Sequence, residues 1–231
     1  MKVTVIGKYG PYAKEGNHAA SCYLVNSGKT NLVLDMGPGT LSRLREVIDV
    51  REISAIFISH LHYDHTSDLL CFRYLLEDLN DHKVTIYTQL EDSPWCKLLF
   101  DHPDFDVIGV TSKSKIQVGN LSLSFYDMKH TVPCLAVKIN DGERTLAYTG
   151  DTLYNENIPA LIDGADAVIM DCSKPLGFNG PHMNVGIAKE IHEKTGVRII
   201  SSHLSPDYDP TEEYKNIPGI ETAEEMKTYE I

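Results

Sequence analysis

The sequence predicts an α/β domain in which two β-sheets pack face to face and helices cover both outer faces. Three observations carry the prediction. Two strand-rich stretches, one opening the chain and one in its middle, each lead into helical patterns. No Pro/Gly/Ser-rich linker or internal repeat separates them. The 231 residues are enough for one large buried core, so a single domain over 1–231 is expected.

The elements follow in order. Residues 2–6 form a short strand that runs into Gly7. Strands over 20–26 and 31–35 flank Asn26-Ser27-Gly28-Lys29, a hairpin turn. Pro38-Gly39-Thr40 opens a helix over 41–48, where Leu41, Leu44 and Ile48 share a face. The apolar run 55–59 reads as a buried strand. Thr66 or Ser67 is placed to cap a helix whose Leu69, Leu70, Leu75, Leu76 and Leu79 form one face. A strand covers 84–88. Four more cover 115–118, 121–127, 136–140 and 145–149, with Asn140-Asp141-Gly142 as the last hairpin signal. A short helix (158–162) and a strand (167–171) come next. Asn184 caps a helix to Thr195, Gly196 stops it, and 197–201 is a strand. Residues 227–231 alternate, as a final strand would.

Composition narrows the class. Hydrophobic residues make up 42% and charged residues 23%, the balance of a soluble globular protein. No stretch approaches the roughly 18 apolar residues of a membrane span, and the N-terminus lacks a secretory signal's apolar segment. Cytoplasm is the expected compartment, without a membrane partner. Five scattered cysteines form no Cys-x-x-Cys pair, so buried free thiols are expected rather than disulfides or a zinc knuckle. The net charge of −12 repels polyanions. A small-molecule substrate is therefore expected over extended nucleic acid. Bound cations would neutralise part of that charge.

The chemistry concentrates behind strands. His60, His62, Asp64 and His65 fall within six residues, directly after Ile56-Phe57-Ile58-Ser59. A strand ending in a tight loop holds such donors around one cavity. Imidazoles and carboxylates suit zinc or manganese, and the carboxylates keep iron open. Three further donors repeat the pattern: His130 after 121–128, Asp151 after Leu146-Ala147-Tyr148-Thr149-Gly150, and His203 after Ile199-Ile200-Ser201-Ser202. Sites collect at such C-terminal strand ends in layered α/β folds.

Together these residues resemble the metallo-β-lactamase-fold hydrolases: Asp35 in Leu-Val-Leu-Asp35-Met-Gly, the His60–His65 cluster, His130, Asp151 in Tyr-Thr-Gly-Asp151, and His203 in Ser-Ser-His203-Leu. The resemblance implies an αββα four-layer sandwich of two mixed sheets with two divalent metal ions, zinc first, at one edge. It assigns His60, His62 and His130 to one metal, Asp64, His65 and His203 to the other, and Asp151 to both. Asp35 would fix a ligand in place. A water shared between the metals would be the nucleophile, and Asp64 would also orient it or take its proton. A homodimer is implied by the resemblance alone.

Asp151 separates the chain from the antibiotic-cleaving branch, which lacks a bridging carboxylate. The length leaves no room for an appended flavodoxin domain. Two classes remain: phosphodiesterases of the RNase Z and cyclic-phosphodiester type, and thioester or lactone hydrolases of the glyoxalase II type. Gly180-Pro181-His182-Met183-Asn184 resembles the RNase Z-like loop whose histidine contacts the scissile phosphate. Backbone N–H groups at the helix start behind His182 could help to hold an anion. Lys8, Tyr9 and His18 belong to a first loop that resembles the same branch, as candidate substrate contacts. Two departures matter. His130-Thr-Val-Pro133 runs straight into a strand, so the arm of tRNA-processing enzymes is missing, and Asp68 stands near the family's glycine. A small phosphodiester, linear or cyclic, is the expected substrate.

Overall fold

Period-two apolar patterning builds two seven-stranded sheets in the computed structural model, which describes residues 1–14, 16–79 and 82–231. The first half of the chain supplies β1 (Lys2–Gly7), β2 (Cys22–Ser27), β3 (Thr30–Leu34), β4 (Ala55–Ile58), β5 (Val84–Thr88) and β6 (Phe105–Gly109). The second supplies β7 (Lys115–Val118), β8 (Leu121–Met128), β9 (Cys134–Asn140), β10 (Thr145–Tyr148), β11 (Ala167–Asp171), β12 (Arg198–Ser202), β13 (Ile220–Thr222) and β14 (Thr228–Glu230). Helices are α1 (Thr40–Val47), α2 (Tyr63–Thr66), α3 (Asp68–Asp78), α4 (Pro94–Phe100), α5 (Ile158–Ile162), α6 (Val185–Thr195) and α7 (Thr211–Tyr214). The sheet orders are β14-β1-β2-β3-β4-β5-β6 and β13-β12-β11-β10-β9-β8-β7.

Both sheets are mixed. β3 to β6 run parallel, as do β10 to β13, while the remaining neighbours pair antiparallel, including β1 with β14 from the other end of the chain. Strand β4 shows why its sequence is apolar throughout. Ala55 and Phe57 enter the core between the sheets, and Phe57 meets Phe125 of β8 with ring centroids 5.4 Å apart. Ile56 and Ile58 point the other way, against Leu44 of α1 and Leu69, Phe72 and Leu76 of α3. On the far side, Ala136, Val168, Met170 and Ile199 pack against α5 and α6 through Ile158, Leu161, Ala188 and Ile191. Each such buried Leu, Ile or Phe contributes about 1.5–3 kcal/mol. The result is the four-layer αββα sandwich.

The differences from expectation are local. Ser67 and Thr66 do not cap α3, because the chain is already helical through α2; their hydroxyls donate backwards to Tyr63 O and His62 O instead. α4 went unread although Ser93 accepts from Cys96 N at 3.1 Å and Pro94 sits in the first turn, both start signals. β6 also went unread; it is a largely exposed edge strand whose pattern lacks a full apolar face. The final strand pairs antiparallel with β1 through Val3 and Tyr229. Cys22, Cys96, Cys134 and Cys172 are buried free thiols, and Cys71 is exposed. Among the described residues no helix is long and apolar enough to cross a membrane.

Candidate metal centre

All seven donors anticipated from the sequence meet at one edge, where strand ends of both sheets converge. β4 delivers His60 and His62, and the single turn of α2 delivers Asp64 and His65. β8, β10 and β12 deliver His130, Asp151 and His203. β8 and β10 point the same way because each runs antiparallel to β9. Asp35 and His203 hold left-handed backbone, φ 57° and 59°, which non-glycine residues rarely adopt. That conformation turns both side chains into the site as their strands end.

The donors fall into two sets that share Asp151. In one, His62 Nδ1 lies 3.0 Å from His60 Nε2 and 3.1 Å from His130 Nε2. Asp151 Oδ2 is 3.7 Å from His60 Nε2 and 3.8 Å from His130 Nε2. In the other, His203 Nε2 is 3.2 Å from Asp64 Oδ2 and 3.1 Å from Asp151 Oδ2. His65 Nε2 lies 3.3 Å from Asp151 Oδ1 and 3.6 Å from Asp64 Oδ2. Among the described residues neither His65 Nε2 nor Asp151 Oδ1 has a hydrogen-bond partner, although both are buried. Buried polar atoms without partners are costly, and three imidazole nitrogens gain nothing by facing one another. The mixed nitrogen and oxygen sets fit divalent cations of the zinc, manganese or iron kind.

Electrostatics agrees. Burial, then the neighbouring His65, hold the His60 imidazole well below its ordinary pKa. Burial also lowers His62 and His130. At His65 burial pulls the same way, but Asp151, Asp64 and Asp35 outweigh it and raise the pKa well above normal. Burial would raise Asp151, yet His203 and His65 hold its carboxyl well below the carboxylate range. A cation bound there would compete with a proton for His65.

Asp35 anchors the arrangement from beneath. Fully buried, it accepts from Ser59 N, Ser59 Oγ and His65 Nδ1, each at 2.7 Å, and from Tyr148 OH at 2.5 Å. His65 is thereby left with Nε2 aimed at the site. The Ser59 hydroxyl donates to Asp35, so at 3.0 Å it can only accept from His60 Nδ1–H. His60 too must then present Nε2 as its lone pair. Two glycines make room: a Cβ on Gly10 would lie 1.9 Å from His203 Nε2, and one on Gly37 would lie 1.9 Å from the Asp64 carbonyl.

His182 sits against the donors rather than apart from them. Its Nδ1 is 2.8 Å from Asp171 Oδ2, and its ring stacks on His203 at 4.8 Å and 26°. Burial pulls its pKa down, but the Asp171 hydrogen bond and charge prevail and raise it. Asp171 closes β11, also accepts from Thr152 N, and was missed in the sequence. The same signal that marked Asp35 and Asp151, a carboxylate closing an apolar strand, was present there in Met170-Asp171.

Other expectations resolve differently. The start of α6 does not offer free N–H groups to an anion: Asn184 Oδ1 accepts from Gly186 N and Ile187 N, and Val185 N donates to Lys174 O. Asp68, near the family glycine's place, accepts from Leu41 N at 2.7 Å and so caps α1. In the first loop, His18 Nδ1 is held by Glu225, and its ring lies 5.1 Å from that of Tyr9. The Lys8 ammonium lies 5.4 Å from the Tyr9 ring centroid.

Comparison with known proteins gives a consistent picture. Residues 30–202 match the profile of the beta-lactamase superfamily domain. A probable metallo-hydrolase of Bacillus subtilis, YhfI, is 29% identical over 213 residues, which covers 88% of this chain and 87% of the relative. The YhfI crystal structure superposes with a TM-score of 0.90 at 26% identity, over 99% of this chain and 98% of that one. A ribonuclease Z of Saccharolobus islandicus is 22% identical over 253 residues, covering 84% of this chain and 86% of the relative. A diphosphatase of the PhnP family shares the fold, with a TM-score of 0.80 at 19% identity over 100% of this chain and 97% of that one.

Proposed function

The chain belongs to the beta-lactamase superfamily as a metallo-hydrolase, and on that premise we propose that it is a binuclear phosphodiesterase acting on small phosphodiesters. The observation that carries this reading is His182. It is held by Asp171 through Nδ1 and lies directly against the donor sets that share Asp151. His60, His62 and His130 would hold one cation, Asp64, His65 and His203 the second, and Asp151 both, with zinc as the resident metal. Bound there, the cations supply Lewis-acid stabilisation of charge on a phosphoryl oxygen and acidify a water.

The protein's own groups do the remaining work. Asp64, only 8% exposed, takes the proton of the attacking water. His182, with its pKa raised beside Asp171 and its Nδ1 occupied, gives a proton from Nε2 to the departing alkoxide as the P–O bond breaks. Thioester cleavage has less need of such a proton-bearing imidazole, since a thiolate leaves unaided. Only residues 129–133 join β8 to β9. That short link favours a small substrate over tRNA, and the ribonuclease Z and PhnP-family likenesses support phosphate chemistry.

The test is hydrolysis of bis-p-nitrophenyl phosphate against thioester and lactone panels, with zinc or manganese added. Phosphodiester turnover is expected; thioester cleavage without it would overturn the reading. His182→Ala should lower turnover of a diester with an alkoxide leaving group by about 100-fold and that of bis-p-nitrophenyl phosphate much less, with metal content unchanged. Loss of metal instead would make His182 a ligand.

A further inference from the structure

Three residues beyond Asp171, Lys174 is just 6% exposed. Its backbone is pinned beside the His182 loop: its carbonyl accepts from Val185 N at 2.9 Å, and it bridges to Asn184. Its ammonium makes no hydrogen bond or ion pair among the described residues. The contact it has is with the Phe178 ring, 6.0 Å from Nζ to the centroid, at the outer limit of a cation–π interaction. Phe178 in turn lies 6.3 Å from the His182 ring. Burial lowers the Lys174 pKa against the opposing pull of Asp171, Asp151 and Asp64. Those three carboxylates belong to the metal pocket, so the ammonium shares the pocket's field.

A lysine normally carries its charge far out to water along its flexible stem; here the residue is packed in, and its ammonium, without a protein partner among the described residues, keeps only a small opening to solvent. None of the nearby carboxylates bonds it: Asp64 and Asp151 are committed to the donor sets and Asp171 Oδ2 to His182 and Thr152, while Asp171 Oδ1 is buried without a hydrogen-bond partner among the described residues. The adjoining helix start is closed by Asn184 and cannot hold an anion in its place. We propose that Lys174 is the anion-binding residue of this pocket: its ammonium takes a non-bridging oxygen of the substrate's phosphoryl group. The pocket then selects substrates charged at the scissile centre over neutral thioesters and lactones. This assignment rests on the phosphodiesterase reading above and narrows it.

The experiment titrates inorganic phosphate into zinc-loaded protein by calorimetry and, separately, measures bis-p-nitrophenyl phosphate kinetics. Lys174→Met should weaken phosphate binding by at least about 10-fold, the loss of one charge-assisted hydrogen bond. It should raise KM for the diester more than it lowers kcat, with zinc content unchanged. Lys174→Arg should stay within about threefold of wild type, since it keeps the charge. Wild-type phosphate affinity in the Met variant would overturn the proposal. So would loss of zinc or of the folded state in both variants, which would make Lys174 structural. Absence of diester turnover in the wild type would sink the phosphodiesterase reading alone, because the phosphate titration would still judge Lys174.

Discussion

Replacing Asp35 by Asn tests whether the residue beneath the site sets its metal affinity. The carboxylate receives four donors: one on Oδ1, from Ser59 N, and three on Oδ2, from Ser59 Oγ, His65 Nδ1 and Tyr148 OH. An amide must place its NH2 against one of these groups. The better choice faces Ser59 N–H and leaves a neutral oxygen for His65. A hydrogen bond to a charged group is worth about 1.5–3 kcal/mol and a neutral one about 0.5–1.5. Direct anchoring of His65 therefore weakens by about 1–2 kcal/mol, in line with the 10- to 100-fold losses of about this kind seen when such supports are removed. His60 feels the change only through the Ser59 hydroxyl. Ser59→Ala removes that relay alone, about 1 kcal/mol or roughly fivefold. Competition with a chromophoric chelator for zinc reads both sites. Asp35→Asn should weaken both, the His65 set more, while Ser59→Ala should weaken only the His60 set. Affinities within about twofold of wild type in Asp35→Asn, or identical profiles for the two variants, would refute the reasoning.

Three further outcomes follow from the same geometry. Gly10→Ala places a methyl 1.9 Å from His203 Nε2; the ring must move, and elemental analysis should find about one metal equivalent lost. Chelation should destabilise the fold: for free zinc at about 1,000 times Kd, one site contributes about 4 kcal/mol, or about 8–16 °C of Tm in a domain this size. An unchanged Tm would mean that no resident metal was removed. Asp141, in the β9–β10 turn, is partly buried, but hydrogen bonds from Arg144 N, Ser27 Oγ and Glu143 N hold its pKa at about 2 against an ordinary 3.8. The N-terminal ammonium, 3.4 Å away, adds to this. A depressed carboxyl stabilises the fold above its unfolded pKa and loses that contribution as pH falls through the folded value. Between about pH 4 and pH 2, wild type should therefore lose Tm more steeply than Asp141→Asn; parallel curves would count against the assignment.

The readable part of the fold was the part whose signals are local. The continuous apolar run at β4 announced a strand buried on both faces, and Ala55–Ile58 divides its side chains between the two cores. Asn184 and Gly196 marked α6 because a side-chain cap and a left-handed stop are written in single residues. The His60–His65 cluster was legible for the same reason: one tight loop and one helical turn set the spacing of four donors. β6 escaped because an exposed edge strand need not alternate. Ser67 misled because its hydroxyl has two local uses, and the preceding turn of α2 selected the second.

Asp171 and Lys174 lay outside that reach for a different reason. Asp171 carries the same strand-end signature as Asp35 and Asp151, but its meaning depends on His182, which reaches it only after the chain has turned back towards α6. A carboxylate whose partner arrives from another loop looks, in one dimension, like any turn residue. Lys174 is harder still. A lysine in a polar loop reads as solvated, and only the packing of residues 171–185 onto the strand ends removes most of it from water. Strand-end donors recruited within one loop are visible in the sequence; Asp171, His182 and Lys174 are brought together across loops. That difference explains why the donor set could be argued from the sequence while the surroundings of Lys174 required the fold.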